Sequence, residues 1–236
     1  MKSTVLVISC EHGGNDVPAE YRHLFAQHKD VMESHRAVDF GALDIADKLA
    51  QLFNCQHTKT TVSRLLIDCN RSLSNRNCFS EFSRHLPEAD KQKLIAEHYL
   101  PYRRQTESLI KKHIDQGRQV LHLSIHTFTP ELNGISRNAA IGLLYDPSRH
   151  GEQEVARLWH ELLLAETPAY RVRKNYPYRG NTDGFTSALR QLYSEENYLG
   201  FEVENNQALL QDKQSFDQLM HALSHSLKEL LLLLQP

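Results

Sequence analysis

No apolar stretch in this sequence approaches the roughly 20 residues that a helix needs to cross a bilayer. The best candidate, LKELLLLLQP at the end of the chain, falls far short, which argues against a membrane partner. The opening MKSTVLVISCEHGG carries one lysine and a short apolar run, without the long apolar region and small-residue cleavage site of a secretory signal. Neither charge sign dominates: 27 Lys and Arg face 29 Asp and Glu, a formal net charge of −2, so no global field attracts nucleic acid or an anionic membrane. Cysteine is scarce and unpaired in spacing. Cys10, Cys55, Cys69 and Cys78 show no C-x-x-C, which excludes a disulfide framework and indicates a reducing, cytoplasmic setting. Three of them sit in or beside apolar segments, where a thiol behaves as a small hydrophobe. Internal repeats, low-complexity tracts and a convincing linker are also missing, and 236 residues suit one α/β domain over 1–236 with a large core.

What is present is an alternation of strand and helix patterns. Residues 4–10 read as a buried strand that stops at Gly-Gly. From Ser34, a possible N-cap, Val38, Ala42, Ile45, Leu49 and Leu52 recur at helical spacing. TTVSRLLIDCN (60–70) reads as a second strand, and a Ser- and Asn-rich loop runs from Ser72 to about Ser83. Pro87 to Gln116 reads as mostly helical, with a break or kink at Pro101 and an end at Gly117. Strands are expected at 119–126, 139–146, 169–175 and 197–205. Helices are expected over 151–166 and from about Leu209, where Leu227, Leu230, Leu231 and Leu234 make an apolar face. That face can pack within the chain or against a second copy. The pattern implies an α/β fold with a mainly parallel or mixed central sheet, helices on both faces, and ligands beyond the carboxyl ends of the strands.

Fourteen histidines are the unusual entry in the composition, and two of them end apolar strands. The first strand finishes at Glu11-His12, the third at His126. The second finishes at Asp68-Cys69-Asn70-Arg71, and the late strand carries Glu202 and Glu204, two apart and so on one face. Leu199, Phe201 and Val203 would bury the other face. Histidines, carboxylates and arginine at one sheet rim can hold a divalent ion together with an anionic substrate. Zinc takes His and Asp/Glu ligands, and a catalytic zinc site keeps one position open for water, whose pKa falls to about 7. A carboxylate outside the ligand set can move protons, and a guanidinium can grip a carboxylate with two hydrogen bonds.

CEHGGNDVP, HRAVDFGA, SRLLIDCNRS, HTFTP and LGFEVENNQ, in this order over nearly the whole chain, resemble the N-formylglutamate amidohydrolase family. The resemblance implies a phosphorylase/hydrolase-like α/β fold, distantly similar to zinc carboxypeptidases and aspartoacylase. It implies zinc or another divalent metal, and hydrolysis of a small N-acyl amino acid, typically N-formyl-L-glutamate to formate and L-glutamate. By that likeness His12 and His126 are metal ligands. Asn70 and Arg71 hold the α-carboxylate, and Arg64 polarises the scissile carbonyl. Glu202 resembles the general base; Glu204 is a supporting or substrate-side residue, or else the base itself. A His-x-x-Glu spacing would need an acid at position 15, which here is Asn15. The third ligand is therefore expected to be Asp39, with His35 one helical turn before it, or else Glu11. The loop YPYRGNTDG, with Tyr178 and Arg179, can fold over the substrate. Two alternatives share the scaffold: hydrolysis of another N-acyl amino acid or small peptide, and a binding protein without catalysis.

Overall fold

The computed structural model describes residues 2–236. Its strands are β1 (Thr4–Cys10), β2 (His57–Lys59), β3 (Gln119–Phe128), β4 (Glu131–Leu132), β5 (Ile135–Ser136), β6 (Ile141–Leu144), β7 (Val172–Lys174) and β8 (Tyr198–Asn206). Its α-helices are α1 (Lys29–Met32), α2 (Ala42–Leu52), α3 (Glu88–Leu94), α4 (Leu100–Asp115), α5 (His150–Glu166), α6 (Phe185–Leu192) and α7 (Lys213–Leu233). One six-stranded sheet has the order β2-β1-β3-β8-β6-β7, and β4 and β5 form a small separate hairpin. The strands β2, β1, β3 and β8 run parallel, whereas β6 is antiparallel to β8 and parallel to β7. The sheet is thus mixed, within a single α/β domain.

Side chains alternate across the central strand β3 and define the two layers. Leu121, Leu123 and Ile125 pack with α2, α5 and α7, while Val120 joins a second cluster with α3, α4, α6 and the 60–83 segment. Burying each such aliphatic side chain stabilises the fold by about 1.5–3 kcal/mol. On that second face β3 turns polar after Val120, presenting His122, Ser124 and His126, all buried. The polar half of this face is where the site forms. A buried pair stiffens its far wall: Arg190 on α6 meets Glu152 on α5 at 2.9 Å and donates to the carbonyls of Gly180 and Gly200.

The structure departs from several sequence expectations. Residues 60–70 are not a strand beyond an isolated bridge of Val62 to Asp16. The chain folds back there, with the N–H groups of Leu66 and Ile67 donating to the Ser63 carbonyl, and Leu65, Leu66 and Ile67 are buried nonetheless. An apolar run buried as a coil has the same composition as a buried strand. The next helix starts at Ala42, not Ser34, whose hydroxyl donates to the Val31 carbonyl instead. Gly41, at φ 75°, sets its start, a left-handed conformation suited to glycine. His35 and Asp39 therefore do not share a helical face. Pro101 lies in the first turn of α4, and the five residues Ile95–Tyr99 before it wind as a π-helix, a wider turn that accommodates the missing N–H. The last helix begins at Lys213 with Asp212 as N-cap, after a 3-10 turn at Gln207–Leu210. The short helix α6 was not among the expected elements although Phe185, Ala188, Leu189 and Leu192 fall at helical spacing, and neither was the β4–β5 hairpin, whose two-residue strands are too short to show a period. No helix of the described residues is long and apolar enough to cross a membrane.

Candidate active site

The turn after β1 explains the two glycines. A Cβ on Gly14 would stand 2.5 Å from the Thr61 carbonyl oxygen, so only glycine lets the chain pass there. The N–H groups of Gly13 and Asp16 donate to the carbonyls of Thr60 and Thr61, which fixes this turn against the folded-back segment. His12 is held between them. Its carbonyl accepts from the N–H of Asp39 at 3.1 Å, which brings the 34–41 loop over the end of the sheet.

His12, Asp39 and His126 form one buried group whose donor atoms all lie within 4.8 Å of one another. Asp39 Oδ2 is 2.9 Å from His126 Nδ1 and 3.3 Å from His12 Nδ1. The outward nitrogen of each imidazole meets another carboxylate: His12 Nε2 lies 2.8 Å from Asp68, and His126 Nε2 lies 3.3 Å from Glu11. Carboxylates behind two histidines orient the rings and raise their basicity, as metal-ligating histidines require. The electrostatics agree. Burial works against charge on His12 and His126, but the surrounding carboxylates prevail and raise both above the usual imidazole range. Burial likewise opposes ionised Asp39 and Asp68, yet Arg64 and His12 hold both below the carboxylate range. Two imidazoles and one carboxylate, converging where positive charge is favoured, fit a divalent ion such as zinc.

Of the two candidate third ligands, the structure brings Asp39 into this group and keeps Glu11 out of it. Glu11 lies at the far edge of the His126 ring, fully inside the protein. Its Oε1 accepts from Ser9 and Tyr102, both at 2.7 Å, and its Oε2 accepts from Ser124. The chain of contacts continues from Ser9 to His122 and on to the Tyr198 hydroxyl, each at 2.8 Å.

Above the group opens a cleft of about 530 Å³, lined by Arg64, Asn70, Arg71, Tyr178, Arg179, Glu202 and Glu204 among others. Arg64 is anchored through its Nε to the Arg36 carbonyl and stands 3.1 Å from both Asp39 Oδ1 and His12 Nδ1. Asn70 accepts from the N–H of Phe185 at 2.7 Å and donates to Glu202 Oε1 at 3.3 Å, where the Thr186 hydroxyl also donates. Arg71 donates to the Asp183 carbonyl. Glu204 is buried with Oε2 unpartnered. Burial first, then the Asp39 and Glu202 charges, raise it to about 7 against the pull of His126 and Arg64. Tyr178 and Arg179 stand on the wall formed by the 176–184 loop, with Tyr178 about half exposed.

Several participants escaped sequence reasoning. Asp68 was visible at the end of its segment but its partnership with His12 was not. The buried face of Ser9, His122 and Ser124 had a signal, since His122, Ser124 and His126 repeat at the strand period within an apolar run. Arg36 and Arg137, which also line the cleft, had none.

Comparison with known proteins gives the family and the fold. The sequence model of the N-formylglutamate amidohydrolase family matches residues 4–211. A solved gene product of Agrobacterium tumefaciens is 28% identical, with TM-score 0.79 over 99% of this chain and 90% of that one. The N-formylglutamate amidohydrolase of Ralstonia eutropha shares the fold at TM-score 0.70 and 16% identity, over 98% of this chain and 94% of its own. No curated protein matches in sequence.

Proposed function

The chain belongs to the N-formylglutamate amidohydrolase family, and from that membership we propose that it hydrolyses the N-acyl amide of an acidic amino acid, N-formyl-L-glutamate to formate and L-glutamate, with a divalent ion such as zinc. The observation that carries this reading is the convergence of His12, Asp39 and His126 beneath an arginine-lined cleft. These three residues hold the ion. When bound, the ion supplies a Lewis acid that acidifies water and polarises a carbonyl.

The remaining work falls to the chain's own groups. Glu202 takes a proton from the attacking water and returns it to the departing amine. Asn70 and Thr186 steady one of its oxygens, which leaves the other for that proton. Glu204 shapes the charge around this base. Arg64 donates to the oxygen that gains negative charge, and losing one such donor costs about 3 kcal/mol of transition-state binding. Arg71, with the second amide hydrogen of Asn70, grips the α-carboxylate and so selects the amide to be cut. Tyr178 and Arg179 close the outer wall. Arg137 and Arg179 line the cleft without an ion-pair partner among the described residues, which supports a substrate with a second carboxylate. The four free thiols support a cytoplasmic setting.

The test is a panel of N-formyl, N-acetyl and N-succinyl amino acids, assayed before chelation, after it, and after zinc is restored. N-formylglutamate is expected to be preferred, with hydrolysis lost on chelation and regained with zinc. Hydrolysis of no member under any of these conditions would leave a binding protein on this fold.

A further inference from the structure

Away from the cleft, two histidines and a glutamate meet at the outer end of the α5–α7 pair. His221 and His225 lie one turn apart on α7, so they share a face. Their rings are 3.9 Å apart between centroids and inclined by 34°. Glu166, the last residue of α5, places Oε2 3.5 Å from His221 Nε2. One donor atom from each of the three lies within 4.8 Å of the others. Core packing does not ask for these side chains. Both imidazoles are exposed, while the packing face of α7 is made by residues such as Leu219, Leu223 and Leu227.

We propose that Glu166, His221 and His225 form a second metal site, which takes an imidazole-preferring ion such as Zn²⁺, Cu²⁺ or Ni²⁺ and clasps the end of α5 to α7. Nitrogen ligands select these ions over Ca²⁺ and Mg²⁺, which prefer oxygen. Donors around tetrahedral zinc stand about 3.4 Å apart, a spacing that small rotations of exposed side chains reach from the present one. The backbones that carry them are held firmly, since Trp159 Nε1 on α5 donates to Ser226 Oγ on α7 at 3.0 Å in the interior. A groove of about 780 Å³, bordered by Glu166, Tyr170, Lys213, Asp217 and His221, opens beside the three ligands. The ion's remaining positions therefore stay open to water or an external ligand. None of the three residues lines the catalytic cleft, so this site stands independently of the hydrolase reading.

The experiment titrates the full, tag-free and metal-stripped chain with Zn²⁺ by calorimetry, and records the electron paramagnetic resonance of the Cu²⁺-loaded form. Asp39→Ala, which breaks the cleft group, is expected to keep one zinc-binding event and the copper signal of two coordinated imidazoles. Adding His221→Ala and His225→Ala to it should remove both. Glu166→Gln should weaken the event about tenfold, as one of three ligands is lost. In the otherwise native chain, His221→Ala/His225→Ala should abolish one event and leave the cleft's own. Equal zinc stoichiometry and affinity with and without His221 and His225 would overturn the proposal, whatever the cleft variants do.

Discussion

The Glu11 carboxylate lies 3.3 Å from His126 Nε2, at the edge of the ring opposite the one that Asp39 meets. It therefore stands one residue behind the cation group, and its oxygens are already committed to Ser9, Tyr102 and Ser124. In the function proposed above, its part is to fix the ring so that Nδ1 faces the cleft. Glu11→Gln would turn an amide donor toward hydroxyls that now donate. The expected result is a 10- to 100-fold loss, to order of magnitude, in affinity for the catalytic ion. Chelator competition measures this directly, and an unchanged affinity would remove Glu11 from that part.

The two glutamates of β8 separate by environment. Glu202 is partly open to the cleft with one oxygen steadied by Asn70 and Thr186, whereas Glu204 is buried. A base needs one oxygen fixed and one within reach of water. Glu202→Gln is expected to lower kcat about a thousandfold, within the usual range for a proton-transfer group, and to leave metal content intact. Glu204→Gln should cost much less. The reverse order of the two losses would transfer the base to Glu204.

The site was legible where apolar strands stop at polar residues, and illegible where position comes from coil. His12 stood out because it follows a buried strand and His126 because it lies near the end of one, which runs on to Phe128, and Glu202 and Glu204 because they alternate with Phe201 and Val203. Asp39 was singled out within HRAVDFGA, but the reasoning that placed it on a helix with His35 failed. A backbone hydrogen bond to His12 holds that loop, and such a bond leaves no mark on residue type. Arg64 and Asn70 were named on a strand that does not form. Their segment folds back on itself, and its buried apolar residues showed that it is interior but not that it is coil. The α/β layering survived these local errors because the central strands β1, β3 and β8 carry most of the pattern.

His122 makes a pH prediction. Burial depresses it to about 4 from an ordinary 6.5, against the pull of Glu11. The unfolded chain takes up this proton below about pH 6.5, while the folded chain does not until about pH 4, so stability is lost as pH falls through that window. The loss is about 1.4 kcal/mol per pH unit, reaching about 3 kcal/mol at pH 4. His122→Gln keeps a polar side chain beside Ser9 and Tyr198 but has no such proton. Urea unfolding at pH 7 and pH 5 should show the native chain losing about 2 kcal/mol more than the variant. Parallel losses in the two proteins would refute the assignment.

Glu152 and Arg190 are both buried, and Glu152 also accepts from the N–H groups of Gly200 and Asp146. Removing one member of such a pair strands the other's charge in the interior. Glu152→Ala is therefore expected to destabilise the fold by about 3–5 kcal/mol. Glu154→Ala on the same helix breaks only the exposed pair with Arg157 and should leave the denaturation midpoint nearly unchanged. Equal midpoints for the two variants would mean that the buried pair does not stiffen the cleft wall.

Arg71 separates binding from chemistry. Its guanidinium is tied to the Asp183 carbonyl and lines the cleft, 3.9 Å from Asp68 but outside the cation group itself. A grip on the free carboxylate acts equally in the bound substrate and in the transition state, so its loss raises KM with little change in kcat. Arg71→Ala should raise KM for N-formylglutamate by about 10- to 100-fold, the worth of a charge-assisted hydrogen bond of about 1.5–3 kcal/mol. The N-formylglutamate α-amide, which lacks the α-carboxylate, should react equally well with both proteins. If Arg71→Ala instead lowers kcat at unchanged KM, the guanidinium serves the transition state rather than the carboxylate. If the α-amide loses as much as the acid does, Arg71 is shaping the cleft rather than reading the substrate.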